Sequence, residues 1–329
     1  MDKAHERRYE ILAAAVLITL WGGWGLLGGP TGYTDALYEP DYVIRHVQPG
    51  GVLDEAGFQP GDSVIAVEGR AVEGLGMYSR WPRDLTRSPG ESLHMAAVRD
   101  GTLVEGRVVY RERPGAVLRN RLVLTLVAMS FLWLGVHGLF TSASSHAARL
   151  AVVGLAAGLA MPGPYLGSFT GLRDHLQVAG EVLFLALLFH FLLLFPKAKR
   201  LARSPSVGLI YLPWLVLLGC LAVELATQPR LYHAFGGFIG GLFLAYGAAA
   251  LVTLLLTAAT TSWREWGPSG VGILLAGWAV ALVPNLVALA GWMLGFRTPG
   301  QAWFPLFLVA IPVGMAMAVR REAARRPAA

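Results

Sequence analysis

Long apolar runs constrain this chain more than any other feature. A membrane-crossing helix rises about 1.5 Å per residue and must satisfy its backbone N–H and C=O groups internally, so it needs about 20 apolar residues. Eight stretches reach roughly that length: 11–29, 119–141, 147–169, 177–196, 207–227, 235–260, 270–294 and 302–319. Composition enters as a check on these runs. Of 329 residues, 55% are hydrophobic and only 15% charged, with a mean hydropathy of +0.53. That balance belongs to integral membrane proteins. The expected fold class is an all-α multi-pass membrane bundle of about eight spans, carrying one inserted α+β domain.

The net charge of +6 and a pI near 9.7 do not point to nucleic acid. The basic residues are not gathered on one soluble domain; many flank the apolar runs, where Lys and Arg orient helices. Lys3, Arg7 and Arg8 precede the first run, KAKRLARS (197–204) follows the fourth, and RREAARR (320–326) follows the eighth. Counting spans puts all three on one side, so both termini are expected in the cytoplasm of a bacterial inner membrane. Arg111, Arg113, Arg119 and Arg121 sit on the opposite side, but part of that group closes the soluble domain, which weighs less in the charge rule. Cys220 is the one cysteine; neither a disulfide nor a cysteine-based metal site within the chain can be built on it. Residues 11–29 are long enough to span, and GGPTGYTDA after them is a poor cleavage site, so an uncleaved anchor is expected.

The domain boundaries that follow are a cytoplasmic tail at 1–10, a first span at 11–29, an extracytoplasmic domain at 30–116, a seven-span bundle at 117–319 and a second tail at 320–329. Within the extracytoplasmic segment VIRHV (43–47) and SVIAVEG (63–69) alternate as half-buried strands. ESLHMAAVRDG and TLVEGRVVY form two more, joined at Asp100-Gly101 as a hairpin. GLGMYSRWPRDLTRS (74–88) has spacing compatible with one short helix.

"VIRHVQPGGVLDEAGFQPGDSVIAVEGRAV" followed by "SPGESLHMAAVRDG" resembles a bacterial-type PDZ domain over about residues 36–113. The shared pattern is a strand, a Pro-Gly turn, a short helix ending in Ala-Gly, an apolar residue, Gly-Asp, an alternating strand and a closing Gly. Gly57 can end the helix in a left-handed conformation and Gly61 can make the tight turn into the next strand. Asp62 can accept from backbone N–H groups of that turn, and Gly69 closes the strand. The resemblance implies a peptide or protein partner, bound as an added strand. The family's carboxylate-binding loop is not matched by TGYTDALYEPDY (31–42), where Glu39, Pro40 and Asp41 disfavour a peptide carboxylate. Chain-end capture and a protein-docking or structural role therefore both stay open.

"LLFHFLLLFPKAKR" (187–200) and "FPLFLVAIPVGMAMAVRR" (304–321) are similar to segments in the sensor part of competence-type quorum-sensing histidine kinases. In those kinases one span and a PDZ-like domain precede a helix bundle. The sequence after Arg326 reads PAA, so the kinase activity is not carried over.

Polar residues inside the runs are the remaining candidates, since such groups are costly in lipid and often functional. His190 either binds a ligand or metal or bonds across helices, with His137 as one partner to consider. Glu181 and Glu224 either form an acidic vestibule or snorkel to the interface. Pro284 and Asn285 predict a kink in the seventh run, either a hinge or a fixed bend. Arg320–Arg326 either dock a cytoplasmic partner or anchor the helix at membrane lipid. A zinc protease needs HExxH, and His5-Glu6 lacks the second His. Ser168 and Ser269 lack a nucleophile elbow and an evident base. No catalytic residue, metal or cofactor is expected, and the chain reads as a non-enzyme. The expected function is a sensor or receptor-like membrane protein that relays ligand binding inward as a helix movement. The alternative is a non-catalytic accessory or scaffold subunit on a larger membrane complex.

Overall fold

The computed structural model describes residues 3–27, 32–33, 36–38, 43–72, 88–112, 115–142, 144–161, 170–227, 236–293 and 301–325. The segment expected as a short helix at 74–88 lies outside these, except for its last residue. The fold is mostly helical, with a small α+β region set between the first two long helices.

That region begins after α1 (Lys3–Leu27) with β1 (Gly32–Tyr33) and β2 (Ala36–Tyr38), and β2 pairs with β3 (Ile44–Val47). A one-turn helix α2 (Val52–Glu55) leads to β4 (Ser63–Val67), β5 (Arg70–Ala71), β6 (Ser92–Arg99) and β7 (Thr102–Val109). These four strands form an antiparallel sheet in the order β5-β4-β6-β7. β8 (Arg111–Glu112) turns back to pair with β1. The hairpin β6–β7 turns at Asp100 and Gly101, both at positive φ, as a two-residue turn matched to the strand twist requires.

Alternation along β6 sends Leu93, Met95 and Ala97 inward and leaves His94 outside. β4 does not alternate strictly. Its register shifts between Val64 and Ala66, so Val64 and Val67 both reach the core while Ile65 is exposed. An extra residue on one strand of a pair re-aims everything after it. Around Phe58, which is fully buried, pack Ile44, Leu53, Leu93, Met95 and Val108. Each such side chain contributes about 1.5–3 kcal/mol of burial energy, and the domain needs several because no disulfide assists it. Gly106 on β7 is part of this packing: a Cβ there would strike the Ala56 carbonyl and come within 2.7 Å of the Phe58 ring.

The bundle follows as α3 (Gly115–Thr141), α4 (Ser145–Leu159), α5 (Thr170–Leu194), α6 (Arg200–Arg203) and a 3-10 segment, Pro205–Tyr211. Next come α7 (Leu212–Thr227), α8 (Gly236–Thr260), α9 (Trp263–Ser269) and α10 (Val271–Met293). A second 3-10 segment, Gln301–Val309, runs into α11 (Ala310–Ala324). Among the described residues six helices, not eight, are long and apolar enough to cross a membrane: Arg7–Leu26, Leu118–Thr141, Gln177–Leu194, Gly241–Thr260, Val271–Ala288 and Trp303–Ala324.

The other two expected spans are shorter, and proline explains both. α4 stops at Leu159, just ahead of Pro162, because the residue before a proline avoids the helical region. The fifth run starts as a 3-10 segment with Pro205 at its head, and the α-helix takes over only at Leu212. Pro213 then falls in the first turn, where its missing N–H costs nothing. α3 and α4 cross through glycines: a Cβ on Gly135 would lie 2.7 Å from the Leu150 carbonyl, and one on Gly154 2.5 Å from the Phe131 carbonyl. Small residues at such crossings let backbones approach, since lipid supplies no hydrophobic drive between helices. The interior is then filled by Phe131, Leu150, Phe191, Leu254, Trp278 and Met315.

Candidate functional site

Three of the four singled-out glycine and aspartate positions of the α+β domain share one corner. Gly57 has φ +86 and Gly61 φ +99, so both occupy left-handed backbone that a side chain would strain. Gly69, φ +71, lies apart from them in the β4–β5 turn with Glu68. Asp62 is fully buried. Its carboxylate accepts from the Gln59 N–H at 2.8 Å and from Arg99, Nε at 2.7 Å and Nη2 at 2.8 Å. The same Nη2 donates to the Gly57 carbonyl at 2.8 Å. Burial pushes the Asp62 carboxyl up, but the Arg99 and Gln59 hydrogen bonds outweigh it and hold the group below the usual aspartate range. Arg99 thus fastens the 57–62 turn to β6. Nothing in the sequence marks it, because Arg99 lies 37 positions from Asp62 and no local pattern links the two.

A second arrangement joins this domain to the membrane helices. β1 follows α1 and β8 precedes α3, and their pairing sets Gly32 beside Glu112 and Tyr33 beside Arg111. Arg111 also forms an ion pair with Glu55 and donates to the Gly50 carbonyl at 3.2 Å. The two connections are thereby held together and to α2. Below them α1 packs on α3 and α4 through Ala15, Leu132 and Val136, with Gly22 against Met161.

Inside the bundle His190 meets Tyr211. Nδ1 and the phenol oxygen are 2.6 Å apart, a hydrogen bond whose donor follows the imidazole tautomer. His137, weighed as the partner, instead lies exposed on α3. A largely apolar cavity of about 300 Å³ opens beside the pair, lined among others by Arg149, Val152, Phe191 and Leu194. Asn285 donates to the Ala281 carbonyl at 2.8 Å and across to the Phe304 carbonyl at 3.1 Å. It ties α10, next to Pro284, to the 3-10 segment before α11. Glu181 accepts from Gln177 at 3.0 Å one turn earlier on α5. The side chain of Glu224 lies outside the described ones, so a paired vestibule has no geometry here. Arg320 and Arg321 continue α11 as exposed residues, and Arg326 lies outside the described residues.

No family model matches the chain and no solved structure matches it. A stretch of 69 residues is 36% identical to a "putative zinc metalloprotease" of Brucella suis biovar 1 (strain 1330), covering 21% of this chain and 17% of that protein. A "putative zinc metalloprotease" of Brucella melitensis biotype 1 matches with the same identity and extent. This chain therefore spans less than a fifth of the length of the relatives it matches. Zinc finds no donor set here: among the described residues no three His, Cys, Asp or Glu side chains come together. The reading of the chain as a non-enzyme nevertheless has to be withdrawn. It rested on missing catalytic motifs, and the partial likeness is to proteins named as zinc metalloproteases.

Proposed function

We propose that this chain is a multi-span sensor of a bacterial inner membrane, whose PDZ-like domain captures an extended peptide or protein segment outside and passes the event to the helices. The observation that carries the reading is the β1–β8 pairing, which joins the domain's entry and exit just where α1 has ended and α3 is about to begin. A ligand that shifts α2 or the sheet pulls on both helices through Arg111 and its Glu55 and Gly50 contacts. Orientation is supported by the basic flanks. Tyr9 of α1 rests edge-on against Phe140 at 6.2 Å, so the Arg7-Arg8 end of α1 sits beside the end of α3. The 197–199 loop and Arg325 line one shared cavity.

Two measurements test this. In a Cys220→Ala chain, Ser63→Cys should react with an impermeant thiol reagent in intact cells and Ser204→Cys only after the membrane is opened. The reverse pattern ends the topology. A random peptide library displayed on phage, selected on the purified full chain, should enrich extended sequences with apolar residues at alternate positions. Absence of any enriched set ends the capture reading.

A second reading is favoured by the Brucella match: a part in membrane proteolysis, with the shared 69 residues recognising the protein to be cut. Cleavage of a co-purifying membrane protein, stopped by a chelator, would support it over sensing.

A further inference from the structure

The cavity of about 300 Å³ beside His190 and Tyr211 lies between two helices. Ala148, Val152 and Val153 line it from α4, and Leu187, Phe191 and Leu194 line it from α5. Both sets recur at three- and four-residue spacing, the mark of a single helix face. Tyr211, the last residue of the first 3-10 segment, completes the lining. A volume of this size stands at the low end of small-molecule sites, which bury apolar groups and place a few polar ones. Arg149 is the one charged residue in the described lining.

Most of the donors on Arg149 are unspent. Its Nη1 lies 3.3 Å from the Ser145 hydroxyl and 3.4 Å from His146 Nδ1, both on the preceding turn of α4. Among the described residues no Asp or Glu pairs with it. A guanidinium carries five N–H groups, so those on Nε and Nη2 are left for a ligand. His190 and Tyr211 supply one donor more. If the phenol gives its proton to Nδ1, the neutral imidazole keeps an N–H at Nε2; if Nδ1–H donates, the phenol keeps its own O–H. In either tautomer the pair has one donor over. The cavity thus offers a positive charge and hydrogen-bond donors among apolar side chains.

The level of the cavity in the bundle follows from ring contacts. His146, three residues before Arg149, meets Phe195 edge-on at 5.4 Å, so the start of α4 stands beside the end of α5. Arg149 is therefore close to the ends of two apolar helices, the level of headgroup phosphates. Val152 and Leu187 lie farther from those ends, at the level of acyl chains. Basic pockets between membrane helices hold anionic headgroups. A zwitterionic headgroup would add an ammonium, for which the described lining has no carboxylate. We propose that this cavity binds one anionic glycerophospholipid, its phosphate on Arg149 and one acyl chain along Val152, Leu187 and Phe191. The site is independent of the α+β domain's role as a sensor.

Native mass spectrometry of the full chain, purified in detergent with equal amounts of phosphatidylglycerol and phosphatidylethanolamine, tests this. Phosphatidylglycerol should be retained about tenfold better, the scale of one charge-assisted hydrogen bond. Arg149→Gln should remove most of that preference without lowering the melting temperature, since the residue is exposed. Arg203→Gln, at an exposed arginine outside the lining, should leave the preference unchanged. Val152→Trp, at a side chain 42% exposed, fills the cavity and should lower retention of phosphatidylglycerol with Arg149 still in place. Lipid held only around the outside of the bundle would survive that change. Equal retention of the two lipids, a preference that outlasts Arg149→Gln or Val152→Trp, or an equal loss in Arg203→Gln overturns the proposal.

Discussion

The α+β domain and the helix bundle solve opposite solvent problems within one chain. In the domain the large apolar side chains, Phe58, Leu53, Ile44 and Met95, are fully buried, and charged residues cover the outside. In the bundle large apolar side chains also point outward, Leu244 at 77% and Val252 at 54% exposed, while glycines occupy the tightest helix crossings. Water rewards removal of apolar surface, so the domain puts its bulk inside. Lipid gives no such reward, so the bundle is held by close backbone approach and by cross-helix bonds such as Asn285 to Phe304. Polar groups follow the same division. Asp62 can be buried as a charge because Arg99 reaches it, whereas His190 meets the neutral phenol of Tyr211.

Five substitutions, grouped as four effects, would sharpen or break this contrast. Phe58→Ala should have the largest effect, about 3–5 kcal/mol, since it empties the centre of a small core. Hydrogen exchange on the full chain should then show lost protection in β4 and β6 and unchanged protection in α3 and α4. Loss in both regions would mean that the two cores are not separate. Val252→Asp, in the middle of an apolar run, should cost about 2.5–3.5 kcal/mol of insertion, read as reduced protein in the membrane fraction. Leu103→Asp, equally exposed but on the domain sheet, should leave insertion unchanged. If both are equally harmful, the domain does not face water.

Gly154→Leu should cost about 1–3 kcal/mol by pushing α4 off the Phe131 carbonyl. Its readout is a lower melting temperature in detergent with unchanged protection in the domain. The fourth effect is the smallest at neutral pH and depends on acid. The Asp62 carboxyl is held below its ordinary value near 3.8. Its folded-state pKa is thus lower than the unfolded one, so the stabilisation is complete above about pH 4 and is lost as pH falls through the folded value. Asp62→Asn should weaken the domain by about 1–2 kcal/mol at pH 7, and it should flatten the fall in β4 and β6 protection below pH 4. An unchanged acid limb in the variant would assign that limb to other carboxylates.

Much of the fold was legible because its signals are local. An apolar run is covalently contiguous, and a two-residue turn at Asp100-Gly101 needs only its own φ values. Eight runs read as spans where six helices qualify, because hydropathy counts apolar residues without asking where Pro162 or Pro205 stops the α-helix. The strand at 63–69 read as a plain alternation, because a bulge depends on its partner strand and leaves no trace in SVIAV itself. The candidate polar residues were named without their partners: Tyr211 lies 21 positions from His190, and Phe304 lies 19 from Asn285.

By itself, then, the sequence determined that this chain carries helices apolar enough to cross a membrane, that one α+β region interrupts them after the first apolar run, and where that region must turn. These follow from transfer free energy and backbone sterics, which act residue by residue. Only the tertiary structure decided that Arg99 clamps Asp62, that β1 and β8 join the domain's two ends, and that three helix ends enclose a cavity lined by charges of both signs. Such pairings depend on which distant segments pack together. That choice is made by the summed contacts of the whole chain, so no single stretch of it carries the answer.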